Sequence, residues 1–375
     1  MPKRSSTIFV TLNRESLLSL YDRLTKLVEK LPGSLQKPIL RELVPIRELF
    51  LEQRPARILL LGATGKSVPE FLNSIANVAV ETGESDNGWR TYRVPDRGEI
   101  LIVDARQDAP QETLDLALTR FVPDVALLLK HSGDDEAAFS LAAARLAACP
   151  KETPLIGIAF GGNSSRARLS ALLSGKREFS THRVTVCAPE SGDSVTEAIC
   201  AALPNVARLE FARLSGAREA QAQIAGSLLK SFTAVCGVIG LQPIPLADMP
   251  ILTTLQSLMV GLIIYTTGKP VTARTFGEFL GAMGLNIGAG ILFREGARAI
   301  IKIVPVWGNA VSGMVAGAGT YAVGRAAIAY FVEDIPISET KKLFNKLLPG
   351  WDAFKRRRLP VLTRGKKNGS TSDNS

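Results

Sequence analysis

Six short apolar runs alternate with five helical stretches between Arg57 and Leu203, and this alternation restricts the fold more than any other feature of the chain. The runs are Arg57–Leu61, Trp89–Val94, Glu99–Val103, Val125–Lys130, Leu155–Phe160 and Arg183–Cys187. Each has the length and the bounding turn residues of a strand. Helical spacing fills most of the gaps, at Val68–Val78, Gln111–Phe121, Glu136–Ala148, Ser165–Leu173 and Ser194–Leu203. Such alternation predicts an α/β domain on a mostly parallel sheet. One gap breaks the rule, because only Pro95, Asp96, Arg97 and Gly98 separate the second and third runs. These turn formers predict an antiparallel hairpin.

The first run leads into Gly62-Ala63-Thr64-Gly65-Lys66-Ser67. A Walker A loop has four residues between its glycines, so that successive N–H groups surround a β-phosphate. Here only Ala63 and Thr64 intervene, and the cradle is two residues short. Lys66 and Ser67 still stand where a phosphate-binding lysine and a magnesium-binding hydroxyl would, at a helix N-terminus whose dipole favours an anion. The plainer alternative is a tight strand-to-helix turn, with Lys66 solvated and Ser67 near a cap. A dinucleotide-binding GATGxxG loop explains the same glycines, but its third glycine falls on Val68 and it needs a crossover helix where the hairpin lies.

Residues 57–205 resemble an Era-like GTPase domain of the P-loop class. The likeness lies in the order of strands and helices, in "GATGKSVPEFLNSI", in the hairpin leading to "LIVDARQ", and in "RVTVCAPESGDSVTEAICAALP". The resemblance gives Gly62 and Gly65 to the loop, Lys66 to the phosphate, and Ser67 and Asp104 to a magnesium ion. It also places Asn163 and Ala188 in the loops that contact a guanine base. The departures are equally specific. Gln107 replaces the glycine expected three residues after Asp104. "FGGNSSR" keeps Asn163 of the Asn-Lys-x-Asp motif but has no acid after it, so guanine selectivity is expected to be lost. Thr82 and Thr91 are both candidates for the first switch threonine, and no residue is an obvious holder of an attacking water.

Apolar character concentrates after Ala220. Met249–Gly268 holds twenty residues without a charge, about the number that spans hydrocarbon. The preceding "IAGSLLKSFTAVCGVIGLQ" carries only Lys230, and "PIPLADMP" would turn between the two, with Asp248 capping the second helix. Lys230, Lys269 and Arg274 are then expected on one side, the cytoplasmic one. Two stripes of small residues follow, Gly277-Gly281-Gly284-Gly288 and Ala310-Gly313-Gly317-Thr320-Gly324, which would let helices approach closely. Arg294, Arg298 and Lys302 between them argue against a second spanning pair, and a soluble bundle is the alternative. Residues 220–332 resemble the domain of unknown function of YcjF-like membrane proteins, carried by "PIPLADMPILTTLQSLMV" and "FREGARAIIKIVPVWGNAVSGMVAGAGTYAVGRAAIAYF". That resemblance implies membrane association and assigns no chemistry.

Charge and cysteine usage narrow the classes further. Of the formal net charge of +10, residues 341–375 supply most, with 10 Lys/Arg against 2 Asp/Glu. This basic end would suit anionic lipid, and it lacks the interleaved aromatics of a nucleic-acid binder. The 4 cysteines have no paired spacing and there are only 2 histidines, so neither a zinc site nor a histidine base is indicated. Near the N-terminus, Glu15–Leu31 has helical spacing, and a second helix within "QKPILRELVPIRELFLEQ" is expected to break near Pro45.

The organisation expected is an N-terminal amphipathic segment over 1–55, a degenerate GTPase-like α/β domain over 56–206, a hydrophobic helical region over 207–335 and a basic tail over 336–375. The function expected is a membrane-associated pseudo-GTPase, a regulatory or scaffold protein on the cytoplasmic face. Lipid and an unidentified protein would be its partners, with homo-oligomers open and nucleic acid disfavoured. GTP with magnesium is the cofactor only if nucleotide binds. The alternatives are an active hydrolase using Lys66, Ser67 and Asp104, and a soluble helical interaction protein.

Overall fold

The computed structural model describes residues 33–240 except 64, 132–135, 177–178, 180 and 193, together with 248–283, 313–347 and a few positions between 21 and 29. Most of the expected helix Glu15–Leu31, the turn over 241–247, the Asp248 side chain expected to cap the next helix, the segment 284–312 and the tail from 348 lie outside the described residues.

The fold is α/β, with helices ahead of the sheet and an apolar helical region behind it. Seven strands form one sheet in the order β2-β3-β4-β1-β5-β6-β7. They are β1 (Ala56–Gly62), β2 (Glu81–Asp86), β3 (Trp89–Val94), β4 (Gly98–Asp104), β5 (Val125–Lys130), β6 (Leu155–Ala159) and β7 (Val184–Cys187). β4, β1, β5, β6 and β7 run parallel, and β3 is antiparallel to β4 across the Pro95–Gly98 turn, as expected. β2 was not expected. It pairs antiparallel with β3 through an irregular register, and all its side chains are exposed. A strand that buries nothing leaves no hydrophobic alternation to read.

The helices flanking the strands are α2 (Val68–Ala76), α3 (Gln111–Arg120), α4 (Glu136–Ala147), α5 (Gly162–Gly175) and α6 (Val195–Ala202). Ahead of them, α1 (Gly33–Ile46) passes through Pro45 without breaking and then widens into a π-turn over Arg47–Leu51. Proline cannot donate to the preceding turn, and a change of register after it is one way a helix absorbs the missing bond. In the π-turn Glu52 N–H donates to Arg47 O at 3.1 Å.

Both faces of the sheet are apolar. Leu59, Leu61, Val103 and Leu128 pack under α3, α4 and α5. On the other face Ile58, Leu60, Ile102 and Leu127 join a core that runs unbroken across residue 206 into the C-terminal helices. Those are α7 (Asn205–Ser215), α8 (Arg218–Gly240), α9 (Asp248–Thr266), α10 (Ala273–Ala282), α11 (Gly313–Phe331) and α12 (Ile337–Leu347). α7 is tied to the sheet: Glu99 N–H donates to Glu210 Oε1 at 3.0 Å and Arg54 N–H to Val206 O at 2.8 Å. It is tied to the bundle by Arg213, which lies 3.7 Å from the Tyr265 ring centroid and donates to Tyr265 O.

The second small-residue stripe lies at a helix contact. A Cβ on Gly324 would stand 2.5 Å from Leu229 of α8, and one on Gly317 3.6 Å from the Gly237 Cα. Thr320 accepts from Gln256 Nε2 of α9 at 3.0 Å and is wholly buried. The first stripe has no such role among the described residues, because a Cβ on Gly277 or Gly281 meets open space. Lys230 is exposed midway along α8, whereas Lys269 pairs with Asp334 near the start of that helix, so the expected one-sided grouping of cations does not form. α8 is long and apolar enough to cross a membrane by length and composition, with half of its apolar window buried in the protein.

Gly62 ends β1 with φ +107°, and a Cβ there would collide with the Leu129 carbonyl oxygen of β5. Gly62→Ala is expected to cost roughly 3 kcal/mol in urea unfolding, whereas Gly281→Ala should stay within about 1 kcal/mol of the parent.

Candidate functional site

Five parallel strands end on the same edge of the sheet, the usual place for a ligand in an open α/β fold. Seven of the residues singled out in the sequence lie at or just beyond that edge: Gly62 at the end of β1, Gly65, Lys66 and Ser67 after it, Asp104 at the end of β4, Asn163 after β6 and Ala188 after β7, whereas Thr82 and Thr91 lie within β2 and β3.

The loop after β1 is a tight turn into a capped helix. Ser67 is the N-cap of α2, and its Oγ accepts from Glu70 N–H at 3.4 Å. Glu70 returns a carboxylate oxygen to Ser67 N–H at 2.8 Å, completing a capping box. These bonds to Ser67, first the backbone and then the hydroxyl, hold the Glu70 carboxyl below its ordinary range. The hydroxyl offered by sequence to a magnesium ion is thus a helix cap, and the dipole meets an anion from its own chain. Lys66 and Gly65 are exposed, and a Cβ on Gly65 would stand 3.4 Å from the His131 ring.

Asp104 is held by a neighbour that the sequence reading passed over. Arg106 forks onto it, with Nε 2.8 Å from Oδ1 and Nη2 2.7 Å from Oδ2. Its Nη1 donates to Lys66 O at 2.6 Å. The guanidinium therefore bridges the acid and the loop, and its side chain is only 7% exposed. Gln107 N–H donates to Gly62 O at 3.0 Å, and Ala105 N–H to Leu60 O at 2.9 Å, so the chain after β4 continues to pair along the end of β1. From behind, the buried Arg145 of α4 donates to the carbonyls of Ala105, Arg106 and Ala109.

The other end of the edge is also closed by its own side chains. His131 after β5 stacks on Phe160 after β6, centroids 4.6 Å apart. Glu190, in the turn after β7, accepts from Gly161 N–H just ahead of α5. Asn163 lies exposed in the first turn of α5, while Ala188 is fully buried. The loops bearing Asn163 and Ala188 are brought together, with Gly162 close to Ser191.

The Ser-x-x-Glu spacing of the capping box was legible in sequence. Arg106, Arg145 and Glu190 had no such signal, because their partners are set by tertiary contacts. Among the described residues no group of His, Cys, Asp and Glu could hold a metal ion. Both oxygens of Asp104 accept from the Arg106 guanidinium, and that fixed positive charge, with the Ser67 hydroxyl taken up in the cap, does not fit a magnesium ion at these residues as arranged. The buried cysteines offer no nucleophile, and burial pushes the Cys149 thiol up to about 11. No protein-family model matches the chain, and no curated protein matches it.

The lowered Glu70 pKa predicts a pH dependence. A depressed carboxyl contributes stability that is complete above the ordinary glutamate range and is lost as pH falls through the lowered value. Glu70→Gln should therefore be less stable than the parent at neutral pH, and the gap should close in acid when both are unfolded in urea across that range.

Proposed function

We propose that this chain is a membrane-associated, GTPase-like regulatory or scaffold protein whose α/β domain does not bind nucleotide productively and acts through its outer surfaces. The observation that carries this reading is the guanidinium of Arg106, fixed between Asp104 and Lys66 O where the resemblance would put a metal. A divalent cation there would have to displace two short charge-assisted hydrogen bonds and a like charge. The Ser67–Glu70 box and the bond from Gln107 N–H to Gly62 O support the same conclusion from the phosphate side. A phosphate approaching α2 would meet the Glu70 carboxylate. No hydrolytic step is assigned.

Fluorescent GTP, GDP and ATP analogues titrated with magnesium are expected to show no saturable binding below about 1 mM. Micromolar binding abolished by Lys66→Ala would overturn the reading and restore the active hydrolase.

The membrane part of the proposal rests on the apolar length of α8 and on the basic sequence after residue 348. The α/β domain would lie on the cytoplasmic face. A soluble helical interaction protein is the second reading, favoured by the burial of Leu255, Met259, Ile263 and Ile264 of α9 inside the protein. Alkaline carbonate extraction separates the two. The chain is expected in the membrane pellet, and recovery in the supernatant without detergent would select the second.

A further inference from the structure

The sheet has two outer strands among the described residues, and they are built differently. β2 is acidic and interrupted, carrying Glu81, Glu84 and Asp86 around Gly83 and pairing irregularly with β3. Charge and irregularity of this kind discourage a further strand. β7, with the sequence Val-Thr-Val-Cys, has neither charge nor proline.

The backbone of β7 is oriented for pairing. In a parallel ladder, alternate residues turn their N–H and C=O to opposite sides. Leu155 N–H donates to Arg183 O at 2.9 Å, so Arg183 and Thr185 face β6 while Val184 and Val186 present their backbone groups outward. The side chains of the same two valines line a hollow of about 510 Å³ against α5, closed by Arg166, Ser170, Leu173 and Ser174. A free edge and a hollow on one side of it, with Leu173 and the two valines at its base and Arg166, Ser170 and Ser174 around it, are what strand addition needs.

Charge selects the occupant. Residues 57–220 as a whole carry 18 basic against 21 acidic side chains, yet 162–187, which build α5 and β7, carry 5 against 1. Arg168 and Arg183 are exposed and form no ion pair among the described residues. We propose that the β7 edge takes an extended acidic segment of a partner protein as an additional parallel or antiparallel strand. Alternate apolar side chains of that segment enter the hollow on the α5 face, and its carboxylates, on the opposite face, lie on the side of Arg183 and Thr185. The surface goes beyond the function proposed above and does not depend on it, because β5 and β6 separate β7 from the loop after β1.

The test uses the full chain and a fluorescein-labelled octapeptide alternating valine and glutamate, followed by anisotropy. Saturable binding is expected, weakened about fivefold or more by Val186→Pro, which removes an outward N–H and leaves the β6 ladder intact. Arg183→Glu, at an exposed position, should weaken it as much without touching the fold, and Arg168→Glu, on the α5 side, should leave it unchanged. A valine-lysine peptide should not bind. No saturation up to about 1 mM, or binding indifferent to all these substitutions, would overturn the proposal. So would concentration-dependent self-association in sedimentation velocity that Glu81→Lys with Glu84→Lys abolishes, since the edge would then belong to β2 of a second copy.

Discussion

β1 lies at the middle of the sheet and is buried on both faces, and most of the molecule follows from that constraint. Ile58 and Leu60 point into one apolar layer and Leu59 and Leu61 into the other. Helices must therefore cover both sides. Those encoded between the strands, α3, α4 and α5, cover one. The other is covered largely from beyond residue 203, so the C-terminal helices complete the sheet's core as well as their own. The same central position fixes the end of the strand. Gly62 lies so close to the Leu129 carbonyl that only glycine fits, and the chain leaves the sheet by a left-handed turn straight into α2.

That abrupt exit leaves little backbone for enclosing an anion, and the chain supplies its own anions instead. Glu70 meets Ser67 N–H at the start of α2, Glu190 meets Gly161 N–H before α5, and Glu197 accepts from Glu219 and Ala220 N–H at the start of α8. A helix N-terminus attracts negative charge from whatever source, and an intramolecular carboxylate has the advantage of proximity. The positive counterpart is Arg106 on Asp104. Together they turn a row of potential ligand contacts into internal ones, and this is the basis of the surface role proposed for the domain.

The parts legible in sequence were those governed by local pattern. Every strand with an apolar alternation or run was found, as were the hairpin at Pro95–Gly98 and the helices between strands. β2 escaped because exposed polar residues carry no period. The π-turn after Pro45 escaped because proline says that a bond is missing, not how the helix repairs it. In the site, Lys66 and Ser67 were located by spacing and Asp104 by the resemblance, but what surrounds them is decided by Glu70, Arg106 and Arg145. Of these only Glu70 stands in a recognisable local motif. Arg145 lies about forty residues from the carbonyls it holds, beyond the reach of any periodicity.

Arg145 ties the segment after Asp104 to α4 through three carbonyls. A signalling loop needs a second arrangement within a few kcal/mol, so that a ligand preferring one can redistribute the population. Here any displacement would strip three carbonyl partners from a buried cation that has little solvent to turn to. A loop anchored this way has to break those bonds before it can move, which is why the role proposed for the domain falls to its rim.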